Sequence, residues 1–250
     1  MKLYNEEKNE NEIRMFVQKY VESIRGNRED RYNKTLSLIP NGKGYILDYG
    51  CGWGHYAVAL REKGYNVLAI DLSENEIEIC KLVWGNQEGI SFEKRSIESI
   101  ADKKFDYVLS SQVIEHVHNP GFYLSQINRV LKSKGKLIIS LPNIINPRFI
   151  IPLLDKDLNS RLKEHSKLIF EKYNKTHDHI QAWDPFHFVA LCASVGFLLE
   201  CYIPMEGTPF PFRKTFKPYV YFKNKRLQNF CYTMAFRFSK VKDVYIGLNE

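Results

Sequence analysis

The segment Asp48-Tyr-Gly-Cys-Gly-Trp-Gly54 places three glycines at alternate positions directly after a short apolar run. Glycine lets the backbone turn tightly and approach a ligand closely. The apolar run indicates a buried strand. The residues after the loop indicate a helix, whose first N–H groups favour negative charge. We therefore predict a ligand-binding loop at Gly50, Gly52 and Gly54, and not a turn that merely needs glycine.

Two kinds of nucleotide site use such a loop, and this segment departs from both patterns. A dinucleotide fold expects G-x-G-x-x-G, and here His55 occupies the sixth place. A P-loop expects Lys followed by Ser or Thr, and neither pair follows the loop. An NAD-dependent oxidoreductase on a related fold stays open as an alternative.

Asp71 ends the second apolar run, which begins at Asn66. A carboxylate at the end of that strand can accept two hydrogen bonds from the vicinal hydroxyls of a ribose. The plainer interpretation is an acidic residue before a helix, since Ser73 and Glu76 form a capping box. Together with the glycine loop, Asp71 favours a nucleoside-binding site.

The segment Thr176–His187 concentrates three histidines and two aspartates just before a predicted helix. An imidazole titrates near neutral pH and suits a general base. We take His177 and His179 as candidate bases, with Asp178 or Asp184 as the partner that orients the ring. The plainer interpretation makes Asp184 a helix N-cap and packs His187 in the first helical turn. The cluster lacks a clean metal-ligand spacing.

The elements that must position these residues alternate between strand and helix from residue 45 to 142. This order predicts right-handed βαβ units and a parallel sheet in an α/β protein. Predicted strands cover 45–48, 66–70, 90–93, 105–109, 136–141, 197–203 and 229–238. Predicted helices cover 13–24, 28–38, 57–60, 120–132, 155–175 and 184–196, with one more beginning at Ser73.

Composition limits the class of protein. The 250 residues are 44% hydrophobic and 26% charged, which excludes a disordered chain, and no run approaches the roughly 20 apolar residues of a membrane span. The polar N-terminus argues against a secretory signal. Five cysteines without a C-x-x-C pair argue against a disulfide scaffold and a cysteine zinc site. We expect a cytoplasmic protein. The net charge of +7 permits anionic partners without choosing one.

Four segments together resemble the class I S-adenosylmethionine (SAM) dependent methyltransferases. They are the D-x-G-x-G-x-G loop, Asp71, the run Ser110–Pro120 after the fourth strand, and Asn128–Asn143. The resemblance covers residues 40–145 well and 176–203 loosely. The most similar subgroup is the ubiquinone-biosynthesis-type O-methyltransferases with related glycan- and lipid-modifying enzymes.

The resemblance implies a Rossmann-like sheet of seven mostly parallel strands, with the last strand antiparallel. We expect one methyltransferase domain over residues 1–250. Its parts are N-terminal helices (1–40), a SAM-binding core (41–142), a helical insertion after strand 5 (143–182) and the acceptor side with the last strands (183–250).

The resemblance also implies a set of cofactor-binding residues. Ser96 stands where the family often has an Asp that binds the adenine amino group, and Ile97 stands where an apolar residue packs on the ring. Ser111 and Gln112 would face the methionine part. The full set is Asp48, Gly50, Cys51, Gly52, Gly54, Asp71, Leu72, Ser96, Ile97, Ser111 and Gln112.

Some enzymes of this subgroup hold a divalent cation with acidic residues and a histidine in the segment after the fourth strand. Glu115 and His116 match that pattern, whereas Gln112 stands where a further carboxylate is expected. Because the missing charge disfavours a hard cation, we predict no metal. Glu115 and His116 would then shape the pocket.

By resemblance, the expected reaction moves a methyl group from SAM to a hydroxyl of a small molecule and leaves S-adenosylhomocysteine (SAH). A sugar or glycan precursor or a quinol-like lipid is the expected acceptor. An RNA methyltransferase is the alternative that the basic charge allows, although no RNA-binding module is present and we do not expect a nucleic-acid partner. The basic, aromatic segment 209–226 would cover the acceptor pocket or make peripheral membrane contact. The oligomeric state stays open.

Overall fold

A computed structural model describes residues 9–27, 29–85, 87–176, 179–207 and 224–247 of the chain. Seven strands form one sheet within these residues. In chain order they are β1 (Tyr45–Tyr49), β2 (Asn66–Asp71), β3 (Ile90–Lys94), β4 (Phe105–Ser111), β5 (Leu131–Pro142), β6 (Phe197–Met205) and β7 (Thr233–Lys240).

The strands lie in the order β3-β2-β1-β4-β5-β7-β6. The pairs β1–β2, β2–β3, β1–β4 and β4–β5 are parallel. Strand β7 runs antiparallel to both β5 and β6. The predicted α/β sheet of seven mostly parallel strands with an antiparallel last strand is therefore confirmed.

The strand order reverses between β1 and β4, because the chain builds β2 and β3 on one side of β1 and then returns to its other side. Ligands of open α/β sheets bind beyond the carboxyl ends of the strands at such a switch point. The glycine loop follows β1, Asp71 ends β2, and Ser111 ends β4. The topology thus brings the chemistry-bearing segments to one edge of the sheet.

Helices cover both faces of the sheet. Consecutive residues of a strand point to opposite faces, and Ile46 and Leu47 accordingly lie in two different core clusters. The described helices are α1 (Glu10–Asn27), α2 (Glu29–Ser37), α3 (His55–Glu62), α4 (Glu74–Trp84), α5 (Pro120–Val130), α6 (Pro147–Ile150), α7 (Leu158–Thr176), α8 (Pro185–Ser194) and α9 (Lys225–Gln228).

The helix starts follow their capping residues. The Ser73 hydroxyl accepts a hydrogen bond from the Glu76 backbone N–H at α4, as the capping box predicts. Asn119 and Asp184 cap α5 and α8 in the same way, each with proline at the first helical position. The plainer interpretation of Asp184 as an N-cap is thereby confirmed.

Two predicted strand starts were wrong. Strand β5 begins at Leu131, directly after α5, and not at residue 136, because Leu131 pairs with Phe105 before a register shift. The last strand begins at Thr233 and not at residue 229. The side-chain amides of Asn143 and Asn146 donate hydrogen bonds to the backbone carbonyls of Asn229 and Phe230. These bonds hold that stretch as a turn.

The segment expected as an insertion after β5 contains, among its described residues, α6, a 3₁₀ turn at Ile151–Leu154, and α7. It returns to the sheet edge where Ile144 N–H bonds the carbonyl of Trp183. Among the described residues, no helix combines the length and the apolar character needed to cross a bilayer.

Candidate functional site

The glycine loop has a backbone that glycine alone adopts readily. Gly50, Gly52 and Gly54 have φ angles of 77°, 50° and 75°, which lie in the left-handed region. The N–H groups of Gly50 and Cys51 both donate to the carbonyl of Ile70, at 2.9 and 3.1 Å. The loop is thereby fastened to the end of β2 before α3 begins.

The three glycines differ in what surrounds them. A Cβ on Gly50 would lie 2.5 Å from a methyl of Val113, and one on Gly54 would lie 2.8 Å from the Phe92 ring. A Cβ on Gly52 would meet nothing within 4 Å. Gly50 and Gly54 are therefore required by packing, whereas Gly52 exposes its backbone to open space that a ligand can fill.

Asp71 is held at the same edge by two backbone donors. Its Oδ2 accepts from Gly52 N–H at 3.1 Å, and its Oδ1 accepts from Ser73 N–H at 2.9 Å. A carboxylate oxygen has lone pairs for more than one donor. Asp71 can therefore keep the loop in place and still accept hydrogen bonds from ligand hydroxyls.

A cavity of about 790 Å³ opens beside the loop, within the size range of small-molecule sites. Seven of the predicted cofactor residues line it: Gly50, Cys51, Gly52, Asp71, Leu72, Ser111 and Gln112. Leu72 is 70% exposed. Such an exposed leucine next to a carboxylate offers an apolar surface for a flat ring.

Four predicted cofactor residues do not line the cavity. Asp48 is 2% exposed and lies behind the loop, and Gly54 packs against Phe92. Ser96 is exposed, and its carbonyl accepts hydrogen bonds from Ser99. Ile97 is 1% exposed and belongs to the core. The predicted contacts of Ser96 and Ile97 with an adenine ring stay predictions.

The Asp48 carboxyl has an unusual environment. Burial raises its pKa from 3.8 to about 7, and the nearby charge of Asp71 adds to the rise. Its Oδ2 has no hydrogen-bond partner among the described residues. A buried, unpartnered polar atom costs free energy. Asp48 therefore lowers the stability of the fold at neutral pH, and groups kept at such a cost are often found at functional sites.

Arg31 is a residue of the cavity that the sequence did not predict. It lies in α2, which was expected only as one of the N-terminal helices, and it lines the cavity. Its Nη1 lies 3.5 Å from Oε1 of Gln112 and 3.9 Å from Oε2 of Glu206. Among the described residues that line the cavity, Arg31 supplies the one Lys or Arg side chain. Its place is set by contacts distant in the chain, so no local pattern marks it.

Gln112 connects Arg31 to the end of β4. Its backbone has a φ of 58°, a left-handed conformation that is strained for a residue with a side chain. Its Nε2 is buried without a hydrogen-bond partner among the described residues. Strain and an unpartnered donor at the cavity wall are typical of a binding position.

Glu115, His116 and His179 form a second cluster. His116 lines the cavity, and its ring lies 5.0 Å from that of His179, centroid to centroid. The Glu115 carbonyl accepts hydrogen bonds from the N–H groups of Ile180 and Gln181, which bring the returning chain to this place. The predicted residue His179 thus lies against the cavity wall.

The Glu115 carboxyl is the acid of this cluster. Burial raises its pKa from 4.5 to about 7, and neither oxygen has a hydrogen-bond partner among the described residues. One atom from each of the three residues lies within 4.8 Å of the others. Such a set can share a proton or hold a cation that accepts nitrogen and oxygen ligands. The absence of a metal stays a prediction.

The other residues singled out in the sequence are not among the described residues that line the cavity. His177 and Asp178 fall outside the described residues. His187 contacts the Asp184 carboxylate at the start of α8 and does not line the cavity; its side chain is exposed. Most of the basic, aromatic segment 209–226 also falls outside the described residues, which resume at Asn224.

Aromatic rings form much of the remaining wall. Tyr49 and Tyr123 stack at 4.8 Å, and Tyr32 and Tyr56 stack at 5.3 Å. All four line the cavity. Tyr32, Tyr56 and Tyr123 are buried, so the stacked pairs form a packed apolar wall whose phenolic hydroxyls are its polar groups.

Comparison with known proteins gives a consistent set of similarities. Residues 21–202 match the family model described as "Methyltransferase domain". The ubiquinone biosynthesis O-methyltransferase of Bartonella quintana is 34% identical over 112 residues, which are 43% of this chain and 45% of that protein. The protein of the same name from Dechloromonas aromatica is 30% identical over 142 residues, 52% and 60% of the two chains.

Solved structures extend the similarity to most of the chain. The SAM-dependent methyltransferase of Mesorhizobium loti superposes with a TM-score of 0.60 at 16% identity, covering 84% of this chain and 97% of that one. At that identity the likeness concerns the fold. The matches to the two curated relatives span about half of their length.

Proposed function

The chain belongs to the methyltransferase-domain family, and from this premise we propose that it transfers a methyl group from SAM to a hydroxyl oxygen of a small molecule. One observation carries the proposal. The open backbone of Gly52 and the carboxylate of Asp71 meet at the wall of a cavity at the switch point of the sheet.

The cavity wall fits the parts of SAM in order. Asp71 would accept hydrogen bonds from the ribose hydroxyls, Leu72 would pack on the adenine, and Gly52 would let the chain approach the ligand closely. When bound, SAM supplies a methyl group on a positively charged sulfur. After the transfer, that sulfur leaves as the neutral thioether of SAH.

The methionine end would lie across the loop, toward β4. Arg31 offers a guanidinium for the ligand carboxylate, and charged pairs of this type are strong and directional. Gln112 offers the N–H donors of its Nε2, and Ser111 offers a hydroxyl. These groups would fix the cofactor so that its methyl points toward the acceptor, and alignment is the main contribution an enzyme makes to such a displacement.

The acceptor would bind beside His116 and the aromatic wall. The curated relatives carry the name ubiquinone biosynthesis O-methyltransferase, which favours an oxygen acceptor on a quinol-like ring. The apolar wall that these tyrosine rings form supports the same choice, because a quinol-like ring buries more apolar surface against it than a hydroxyl-rich sugar does. We therefore place a quinol-like acceptor ahead of a sugar or glycan precursor.

The proton of the acceptor hydroxyl needs a base. We propose that His116, which lines the cavity, takes this proton. His179 and Glu115 would then stabilise the positive charge of the protonated His116 ring. A positioned base of this type contributes roughly 10²–10⁴ to the rate. His177 and Asp178 remain candidates in the same segment.

Two further proposals concern surroundings. All five cysteines are free thiols, which supports a reducing, cytoplasmic location. The aromatic and basic residues of 209–226 support a peripheral contact with an anionic membrane where a lipid-linked acceptor would reside.

The proposal is tested by calorimetric titration of the full chain with SAM, SAH and NADH. We expect micromolar binding of SAM and SAH and none of NADH. Failure of both adenosyl ligands to bind would overturn the proposal, and binding of NADH would restore the oxidoreductase alternative. Turnover is then measured as SAH formation with catechol and with sugar acceptors; turnover with the sugars alone would refute the quinol-like choice.

A further inference from the structure

We propose that Glu206 is a positioning residue that sets the orientation of Arg31 toward the carboxylate of the cofactor's amino-acid end. This inference rests on the proposed function. Glu206 follows β6, far along the chain from the glycine loop, and does not line the cavity. It acts through Arg31, and no sequence pattern associates it with the site.

Glu206 is built into the fold. It is 2% exposed, and its Oε2 accepts a hydrogen bond from the Thr233 hydroxyl at 2.8 Å. The same oxygen lies 3.9 Å from Arg31 Nη1. A buried carboxylate requires a counter-charge or hydrogen bonds, and Thr233 and Arg31 supply both. The backbone of Glu206 adopts a φ of 51°, so the chain accepts strain to place this side chain.

The helix that carries Arg31 is fastened to the same strand end. Lys34 donates to the carbonyl of Pro204 at 3.3 Å, and the hydroxyl of Thr35 lies 3.5 Å from the sulfur of Met205. These contacts fix α2 one helical turn from Arg31. The contacts of Lys34 and Thr35 do not reach the guanidinium. Its direction is therefore set by the groups that approach it, which are Glu206 and Gln112.

The geometry leaves donors for a ligand. Both Gln112 and Glu206 approach Nη1 of Arg31, and a guanidinium carries further N–H donors on Nη2 and Nε. The contact with Glu206 is long for an ion pair, so the carboxylate orients the guanidinium without forming a close hydrogen bond with it. Arg31 thus stays available to a carboxylate in the cavity, in a direction that Gln112 and Glu206 set together.

The test uses Glu206→Gln and two ligands. Glutamine keeps the shape and the oxygen that accepts from Thr233, and it removes the charge that guides Arg31. SAH carries the amino-acid carboxylate, whereas 5′-methylthioadenosine shares its adenosine and sulfur and lacks that group. We expect the dissociation constant of SAH to rise about tenfold, which is the scale of one charged hydrogen bond, and that of methylthioadenosine to stay unchanged.

Glu200→Gln is the matched control. It is the same substitution in the same strand region, and the Glu200 carboxylate pairs with Lys136 and Arg237 away from the cavity. We expect its affinity for both ligands to equal that of the parent chain. In an Arg31→Ala background, Glu206→Gln should have no further effect on SAH binding, since coupled residues are not additive.

The outcomes separate the two proposals. Equal or tighter SAH binding by Glu206→Gln would overturn the positioning role, and so would equal losses for both ligands, which would indicate a general structural effect. If Glu206→Gln does not fold, Thr233→Val removes the hydroxyl that anchors Glu206 and must show the same selective loss. Failure of the parent chain to bind SAH would count against the proposed function instead.

Discussion

The backbone N–H of Gly52 donates a 3.1 Å hydrogen bond to Oδ2 of Asp71. This bond joins the loop after β1 to the end of β2, so it fixes the backbone that faces the cavity relative to the carboxylate that would hold a ribose. A change at either residue therefore affects both the shape of the loop and the recognition of the ligand.

Asp71→Ala should abolish most of the cofactor affinity. The substitution removes the acceptor of the ribose hydroxyls and the anchor of Gly52, each a hydrogen bond to a charged group worth about 1.5–3 kcal/mol. We expect the dissociation constant of SAH, measured by calorimetry, to rise at least about tenfold. Asp102→Ala is the control, because Asp102 pairs with Arg129 outside the cavity; a similar loss in both variants would contradict the role of Asp71.

Gly50→Ala and Gly52→Ala should separate stability from binding. Both place alanine in a left-handed conformation, which costs about 1–2 kcal/mol. At Gly50 the new methyl also overlaps Val113, whereas at Gly52 it enters open space at the cavity. We expect Gly50→Ala to lower the melting temperature more, and Gly52→Ala to fold and bind SAH at least about tenfold more weakly.

A companion substitution checks the cause at Gly50. Since the overlap is with a methyl of Val113, Val113→Ala should restore part of the melting temperature lost in Gly50→Ala. SAH binding by Gly52→Ala that equals the parent chain would show that the ligand does not approach this part of the loop.

The sheet was predictable because its signals are local. Each strand of the parallel part is an apolar run bounded by a turn or a cap, and the alternation with helices decides the topology. The boundaries that failed, at Leu131 and at Asn229–Tyr232, depend on contacts from other elements. Asn143 and Asn146 hold the second stretch as a turn. The residues next to each asparagine in the sequence give no sign of these distant contacts.

The residues of the site likewise separate into those with a local sequence signal and those placed by distant contacts. Gly50, Gly52 and Asp71 were predictable because their residue types and positions at strand ends already state the chemistry. Arg31 was not, because a charged residue on a polar helix is ordinary and its partner Gln112 lies 81 positions away. The meeting of His179 with His116 likewise depends on how the insertion returns to the sheet edge.

Asp48→Asn should change the pH dependence of stability. The folded chain holds the Asp48 proton up to about pH 7, whereas the unfolded chain releases it near the ordinary aspartate pKa of 3.8. The folded state therefore binds more protons between these values, and Asp48 makes the fold less stable as pH rises from about 4 to 7. Asparagine has a similar shape and no proton to lose.

The expected gain for Asp48→Asn is largest above pH 7 and vanishes near pH 3. Because burial raises the Asp48 pKa from 3.8 to about 7 in the folded chain, the gain in the free energy of unfolding is on the order of a few kcal/mol. The difference in the free energy of unfolding between variant and parent, from urea titrations at pH 4, 6 and 8, is the measurement. Asp102→Asn, at an exposed position, serves as the control, and a difference independent of pH would contradict the assignment.

Removal of divalent cations should leave turnover unchanged. Gln112 supplies a neutral amide, and the cluster of Glu115, His116 and His179 contains a single carboxylate. Hard cations such as Mg²⁺ and Ca²⁺ require more oxygen ligands and charge than this. SAH formation is compared before and after dialysis against EDTA and after addition of Mg²⁺, Mn²⁺ or Zn²⁺. If EDTA lowered turnover and one of these ions restored it in the parent chain but not in Glu115→Gln, the cluster would be a metal site.

His116→Ala should lower kcat without weakening cofactor binding. The ring lines the cavity and lies against His179, so its removal takes away the proposed acceptor of the proton while leaving Asp71 and the glycine loop in place. We expect kcat to fall by about 10²–10⁴ and the dissociation constant of SAH to stay within twofold, about 0.4 kcal/mol. His179→Ala should produce a smaller fall in kcat, because His179 acts through His116. His187→Ala, at an exposed position beside Asp184, is the matched control and should behave as the parent chain. Activity of His116→Ala and His179→Ala near the parent value would remove both as the base and leave His177 as the candidate.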